Sequence, residues 1–358
     1  MRRLCLVVAV VVASMTAVSC RHDQPRNGSS TTTSSTGPPV TAPDTTTTLP
    51  PSRPAALVAA QGGALVRLDP ATGARRSTIV SAAGLPGVGI GAVSLDRVHD
   101  IVYYDTLAGS DCLFAPSGSI WRVPLAGDPP TRVAAGTSPA VSADGTLLAY
   151  VAETCHRCVP DDPRTGCQAP FDPHGTIAGV ELRVRTLATG AEYAITSERH
   201  RDQTWLFVVD QLSWSPDNAT IALSAGTVQD NEGREVRLVA AQPGPGLDTA
   251  PTVKPLPLGS VPYVSPATYL PDGTLFAHEG CCEGWGNLAQ ASRLLVVDPT
   301  TGARIAQVAT GFPERSHHDL VADATGAWLL YGLDNDLMVS GNRDRPTTLA
   351  HNVSAAAW

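Results

Sequence analysis

Leu212-Ser213-Trp214-Ser215-Pro216-Asp217-Asn218 leads directly into Ile221-Ala222-Leu223. This is an apolar strand, a turn centred on an aspartate, and a second apolar strand. The aspartate can hydrogen-bond its own backbone, and the Asn or Gly that follows tolerates the left-handed conformation that closes a hairpin. The same element returns as Val141-Ser142-Ala143-Asp144-Gly145 before Leu147-Leu148-Ala149-Tyr150-Val151, and as Ala267-Thr268-Tyr269-Leu270-Pro271-Asp272-Gly273 before Leu275-Phe276-Ala277. Weaker copies are Val93-Ser94-Leu95-Asp96 and Leu320-Val321-Ala322-Asp323.

A second element is an alternating strand that ends in a Gly turn and is followed by another short strand. It occurs as Leu65-Val66-Arg67-Leu68-Asp69-Pro70-Ala71-Thr72-Gly73, from Leu182 to Gly190, and from Leu294 to Gly302. Together the two elements make four strands per unit, the pattern of propeller blades. The aspartates at 96, 144, 217, 272 and 323 mark five first strands. Gly73 precedes all of them, so the folded region starts partway through a blade. The chain ends on Val353-Ser354-Ala355-Ala356-Ala357-Trp358, a first strand with nothing after it. This last strand is expected to complete the blade begun by residues 55–80. The fold class is therefore all-β, a six-bladed β-propeller of four-stranded antiparallel blades. Each blade takes about 51 residues, and pairing the C-terminal strand with the N-terminal blade closes the ring and leaves no open edge.

Ser142-Ala143-Asp144-Gly145 and Ser215-Pro216-Asp217-Asn218 resemble the repeat of TolB-like propellers, whose motif centres on Ser-Pro-Asp-Gly. The resemblance spans most of 55–358 and is weakest in blades two and six. It implies the propeller fold, with protein or envelope-polymer partners rather than a small substrate. Such repeats specify architecture far more strongly than function.

Composition agrees. Hydrophobic residues make up 43% of the 358 residues and charged residues 16%, with 32 Gly and 30 Pro. That is too apolar for a disordered chain and too rich in turn formers for a helical bundle. A net charge of −8 argues against nucleic acid as a partner.

The N-terminus carries an address. Arg2 and Arg3 precede the apolar run Leu4 to Val12, which is too short to span a membrane and reads as a secretory signal over residues 1–19. Cys20 follows Ala17-Val18-Ser19, which resembles the lipobox of bacterial lipoproteins, although Leu is usual where Ala17 stands. The resemblance implies lipidation of Cys20 and an anchor to a membrane that the chain does not cross, facing outside the cytoplasm. Residues 20–54 then hold the runs Thr31 to Thr33 and Thr45 to Thr48 among many prolines. Such a stretch cannot form a core and is expected to be a disordered tether, reaching roughly 110 Å when fully extended. The β-propeller domain is expected over 55–358.

Six cysteines remain after Cys5 and Cys20: Cys112, Cys155, Cys158, Cys167, Cys281 and Cys282. On the blade pattern all six fall in loops between second and third strands, which emerge on one face of a propeller. Three belong to a long insertion, Glu153 to Gly179, in blade three. Outside the cytoplasm an even number of cysteines favours disulfides, whose pairing sequence alone does not select. The competing reading is zinc, held by Cys155-x-x-Cys158 with Cys167 and His156 or His174.

Other chemistry is sparse. There is no Gly-x-Ser-x-Gly elbow, no Walker loop and no Gly-x-Gly-x-x-Gly fingerprint, and no cofactor is indicated. Glu314, His317, His318 and Asp319 cluster in what reads as the connection between blades five and six, with ligand and acid–base potential. Asp161, Asp162 and Asp172 in the insertion could contribute to a cation site. Trp285, in Gly284-Trp285-Gly286, is a candidate contact aromatic, whereas Trp121, Trp214, Trp328 and Trp358 fall on strands and should be core. The favoured function is a monomeric, non-catalytic, envelope-tethered binding or scaffolding module using the loop-rich face. The first alternative is a metal-assisted propeller enzyme, hydrolase or lactonase-like, with its site at the channel mouth. It would gain if His200, His317, His318 and the acidic insertion converged on a cation. The second alternative is a redox or metal sensor built on the cysteines of the insertion and of blade five.

Overall fold

The computed structural model describes residues 54–85, 87, 89–107, 118–157, 176–198, 208–226, 235–241, 254–255, 264–279, 292–312, 317–333, 335–341 and 346–358. Each aspartate-containing segment becomes the hairpin between the first and second strands of a sheet. Strands β1 (Leu57–Gln61), β2 (Ala64–Leu68) and β3 (Arg75–Val80) open the domain. Blade 2 holds β4 (Ile90–Asp96), β5 (Ile101–Leu107), β6 (Gly118–Pro124) and β7 (Thr131–Ala135). Blade 3 holds β8 (Thr137–Val141), β9 (Leu147–Arg157), β10 (Thr176–Thr186) and β11 (Glu192–Glu198). Blade 4 holds β12 (Val208–Trp214), β13 (Thr220–Gly226), β14 (Glu235–Ala240) and β15 (Lys254–Pro255). Blade 5 holds β16 (Val264–Tyr269), β17 (Leu275–Glu279), β18 (Ser292–Val297) and β19 (Arg304–Phe312). Blade 6 holds β20 (His317–Ala322), β21 (Trp328–Leu333), β22 (Asp336–Gly341) and β23 (Thr347–His351), and the chain closes with β24 (Val353–Ala357).

These strands form six four-stranded antiparallel sheets, so the architecture is the expected six-bladed propeller. The closure is also as expected: β24 lies beside β1 in the order β24-β1-β2-β3, with Ala357 opposite Val58 and Ala356 opposite Ala59. The first and last strands of the domain thus share one sheet, and the ring has no unpaired gap. At the same place Gln61 Nε2 donates to the His351 carbonyl (3.0 Å) and Gly62 N–H to the Asn352 carbonyl (3.2 Å), tying blade 1 to blade 6.

Both faces of every blade pack on a neighbour, so central strands read as unbroken apolar runs rather than alternating ones. The core is accordingly divided into six clusters, one per blade interface. Leu182, Val184, Trp214 and Ile221 fill the interface of blades 3 and 4. Leu57, Val66, Leu330 and Trp358 fill that of blades 1 and 6. The other four interfaces have clusters of the same kind. Trp214 and Trp358 are buried as expected, and Trp121 and Trp328 pack against the core while keeping some exposure.

The hairpin turns correct the register of the weaker motif copies. In blades 3 and 4 the turn opens with Ser142 or Ser215, whose hydroxyl donates to Asp144 or Asp217 (2.6 Å each) and accepts the N–H of Leu147 or Thr220 (2.9 Å each). In blade 6 Asp323 itself opens the turn: it accepts the Trp328 N–H (2.9 Å) and the Thr325 hydroxyl (2.6 Å). Asp96 likewise occupies the opening position, pairing across to Ile101. Asp96 and Asp323 therefore stand two residues before the equivalents of Asp144 and Asp217, with Thr325 replacing the aspartate in blade 6. Glycine or asparagine supplies the positive φ that these turns need at Gly145, Asn218, Gly273 and Gly326.

Trp358 is 1% exposed and seals the closing interface. Trp358→Ala is expected to cost about 3–5 kcal/mol, read as a lowered urea midpoint with an unchanged slope. The Ser215 hydroxyl and the Thr274 hydroxyl hold the Asp217 and Asp272 pKa values below the ordinary 3.8. A carboxylate whose pKa is depressed by folding contributes stability above its unfolded pKa and loses it as pH falls through the folded one. Stability measured by urea denaturation should therefore decline as the pH is taken below about 4, and less so in the double variant Asp217→Asn/Asp272→Asn.

Candidate functional site

The innermost strand of each sheet, β4, β8, β12, β16, β20 or β24, has one edge paired to its own blade and the other edge turned to the central channel. Those channel edges carry backbone N–H and C=O groups with no strand to pair with, and they require other partners. All six strands contribute to one cavity of about 220 Å³ in the half of the channel nearer the short turns. Apolar lining comes from Val93, Leu212, Val321 and Trp358, and polar lining from Ser94, Ser138, Gln211, Ser213 and Thr268.

Side chains satisfy much of the inner edge. Ser94 Oγ in blade 2 accepts the N–H of Val141 in blade 3 (3.0 Å). Ser213 Oγ in blade 4 accepts the N–H of Tyr269 in blade 5 (2.9 Å) and lies 3.1 Å from the Thr268 hydroxyl. These two serines hold the same position, two residues before the turn. Trp214 Nε1 donates to the Ala140 carbonyl (2.8 Å), and Arg97 Nε donates to the carbonyl of Trp358 (3.0 Å). Desolvation lowers the Arg97 pKa, although the residue as a whole is exposed, and the charge of nearby Asp323 opposes that shift. Tyr269 is pushed up to about 12 by desolvation, with the Asp217 charge adding to it.

Every innermost strand also slips register by one residue at nearly the same level, for example between Val209 and Leu212, and one residue nearer the turn in blades 3 and 6, as between His318 and Val321. A bulge of this kind leaves ladder groups free and re-aims side chains. Gln211 sits in the blade 4 bulge and reaches past blade 5 to blade 6: its Nε2 donates to the Leu320 carbonyl (2.5 Å), and its Oε1 accepts the Leu320 N–H (2.9 Å). One amide thus takes the place of a missing strand partner. Asp105, buried on the second strand of blade 2, does the equivalent for blades 2 and 3. Its Oδ1 accepts the N–H groups of Gly91 (2.8 Å) and Ala92 (2.7 Å), and its Oδ2 accepts that of Ser138 (2.8 Å). Ser138 holds a positive φ of 53° there.

The residues singled out in the sequence lie elsewhere. In an antiparallel blade the short turns occupy one end, and the loops between second and third strands occupy the other. Cys20, Cys112, Cys158, Cys167, Cys281, Cys282, Asp161, Asp162, Asp172, His174, His200, Trp285 and Glu314 lie outside the described residues. The expected loop Glu153–Gly179 is shorter than the sequence reading gave: β9 continues through Cys155 and His156 to Arg157, and β10 begins at Thr176, with Cys155 opposite Ala178. His317, His318 and Asp319 lie within β20, with His317 opposite Leu333 and His318 opposite Gly332, rather than in a connection. Among the described residues no group of three or more His, Cys, Asp or Glu side chains could hold a metal ion.

Gln211, Asp105 and the two serines escaped the sequence reading. Their signal was a polar residue inside an apolar strand, as in Ile101-Val102-Tyr103-Tyr104-Asp105.

No protein-family model and no curated protein matches the chain. Among solved structures, one from a nidogen/laminin complex superposes with a TM-score of 0.53 at 12% identity, over 84% of this chain and 97% of that one. An oligogalacturonate lyase in complex with manganese gives 0.48 at 17% identity, over 80% and 70%. The β-propeller domain of the trilobed protease from Pyrococcus furiosus gives 0.41 at 12% identity, over 71% and 69%. At these identities the likeness is one of fold.

Removing the Gln211 amide strands both backbone groups of Leu320. Gln211→Ala should therefore cost about 2–3 kcal/mol in chemical denaturation, against under 1 kcal/mol for an exposed control such as Ile305→Ala.

Proposed function

We propose that this protein is an envelope-anchored, TolB-like lipoprotein whose propeller acts as a non-catalytic binding or scaffolding module through its loop-rich face. The observation that carries this reading is the use made of the channel's polar groups. Ser94, Ser213, Thr268 and Gln211 are all engaged in holding one blade to another. A group that pins the scaffold is poorly suited to exchange protons with a substrate, so a contact surface made of the long loops at the other end fits the architecture better.

The sequence supports the placement. A signal over 1–19, lipidation at Cys20 and a Thr/Pro-rich tether over 20–54 would hold the domain of 55–358 away from a membrane. Among the described residues no helix is long and apolar enough to cross one. Disulfides among Cys112, Cys155, Cys158, Cys167, Cys281 and Cys282 would brace the loops, and Asp161, Asp162, Trp285, His317 and His318 are the contact residues this reading puts first. The partner class is an envelope protein or a cell-wall polymer, met by a monomer.

The wild-type chain is expected in the membrane fraction of a lipoprotein-processing bacterium, and Cys20→Ser should move it to the soluble extracytoplasmic fraction. A photo-crosslinker at position 285 should capture an envelope protein or retain cell-wall polymer, whereas one at Val98, exposed at the opposite end, should not. Turnover of ester or lactone substrates by the purified chain with a divalent metal would contradict the reading and favour the enzyme.

A further inference from the structure

The channel leaves some of its backbone donors uncapped, and it does so beside a cation. Opposed residues of an antiparallel pair alternate between exchanging both ladder bonds and exchanging neither. Ser142, Ser215, Leu270 and Asp323 open their short turns by donating an N–H across them, to the carbonyls of Leu147, Thr220, Thr274 and Trp328. The residue before each opener therefore turns its N–H away from its own sheet, toward the channel. Val141 and Tyr269 stand at that position, and serines of the preceding blade, Ser94 and Ser213, cap them. Leu95 and Trp214 hold the same position in blades 2 and 4, and Trp358 holds it in blade 1, one residue beyond Ala357 opposite Val58. Where the capping serine would stand, the preceding blades place Ala357, Ala140 and Val321. None of these carries a hydroxyl, and among the described residues no side chain accepts the N–H of Leu95, Trp214 or Trp358.

Leu95, Trp214 and Trp358 all line the channel cavity, and so does Arg97, the only charged residue among those that do. Arg97 follows Asp96 in the turn of blade 2, whereas the other turns carry Ala143, Pro216, Pro271 and Ala324 at that place. The fold thus has no need of a guanidinium there. The Nε of Arg97 is fixed on the Trp358 carbonyl (3.0 Å), which holds the head at the junction of blades 1 and 2. Both terminal nitrogens are left without a partner among the described residues. The charge of Asp323 is felt at Arg97, but that carboxylate is spent on the Trp328 N–H and the Thr325 hydroxyl of its own turn. Arg97 is itself exposed, so a ligand can reach it from solvent.

We infer that the short-turn end of the channel binds a small organic acid, its carboxylate on the two terminal nitrogens of Arg97 and its remaining polar atoms on the uncapped N–H groups of Leu95, Trp214 and Trp358. A guanidinium whose Nε is already engaged still presents a planar pair of donors that matches the two oxygens of a carboxylate. A single cation with Asp323 nearby favours a singly charged ligand over phosphate. Val93, Leu212 and Val321 offer an apolar wall to a short carbon chain, and the cavity of about 220 Å³ limits its size. This site lies at the opposite end from the loop-rich face and does not depend on what that face binds.

The test titrates the purified chain with butyrate, with neutral butyramide and with phosphate, read by calorimetry and by single-amide hydrogen exchange. One butyrate per chain is expected, with butyramide and phosphate binding roughly tenfold more weakly. Bound butyrate should slow exchange at Leu95 and Trp214 and leave Val141, already capped, unchanged. Arg97→Gln should weaken butyrate binding roughly tenfold at an unchanged Tm. Ala140→Ser, which supplies Trp214 with the missing cap, should weaken it severalfold without lowering Tm. If Ala140→Ser disturbs the packed interface, Arg97→Gln decides alone. The proposal is overturned by an absence of saturable butyrate binding, by equal affinity for butyramide, by tighter binding of phosphate, or by undiminished binding in Arg97→Gln.

Discussion

A propeller must satisfy the inner edge of every first strand without giving it a partner strand. Six such edges face one another across a channel too narrow for another sheet, and their N–H and C=O groups are costly to leave dry and unpaired. Here the answer is local and made of side chains. Ser94 and Ser213 serve the next blade, Gln211 serves the blade after next, and Asp105 serves two bulges at once. Ring closure through β24 solves the same problem at the one place where the chain ends would otherwise leave an edge.

This division of labour explains why the apolar core is not at the centre. Six interfaces between blades each carry their own cluster, and the channel keeps the polar groups that bind the blades together. Stability therefore comes from repetition of modest interfaces, while specific blade-to-blade geometry comes from a few hydrogen-bonding side chains. The channel side chains are thereby committed to the scaffold, which is the observation on which the proposed binding role rests.

Much of the architecture was legible in the sequence because the hairpin turns have a local cause. Ser142 to Gly145 and Ser215 to Asn218 close with bonds between residues two to five apart, so a short window contains the whole mechanism. The terminal Val353 to Trp358 was legible as a missing first strand for the same reason. The weaker copies misled by two residues, because Asp323 can open the turn that serine opens elsewhere. Strand extent was harder: β9 runs through Cys155, and His317 to Asp319 belong to β20, since polar strand ends look like loops. The channel residues were illegible for a different reason. Gln211 and Leu320 are 109 positions apart, and only the ring brings them together.

The central claim is that side chains, not neighbouring strands, protect the inner edge, and native-state hydrogen exchange resolved at single amides tests it most directly. The account predicts slow exchange at Val141, Tyr269 and Leu320, comparable to amides of the buried second strands, with selective acceleration at Leu320 alone in Gln211→Ala. Rapid exchange of those amides in the wild-type protein, or acceleration spread evenly over all blades, would contradict it.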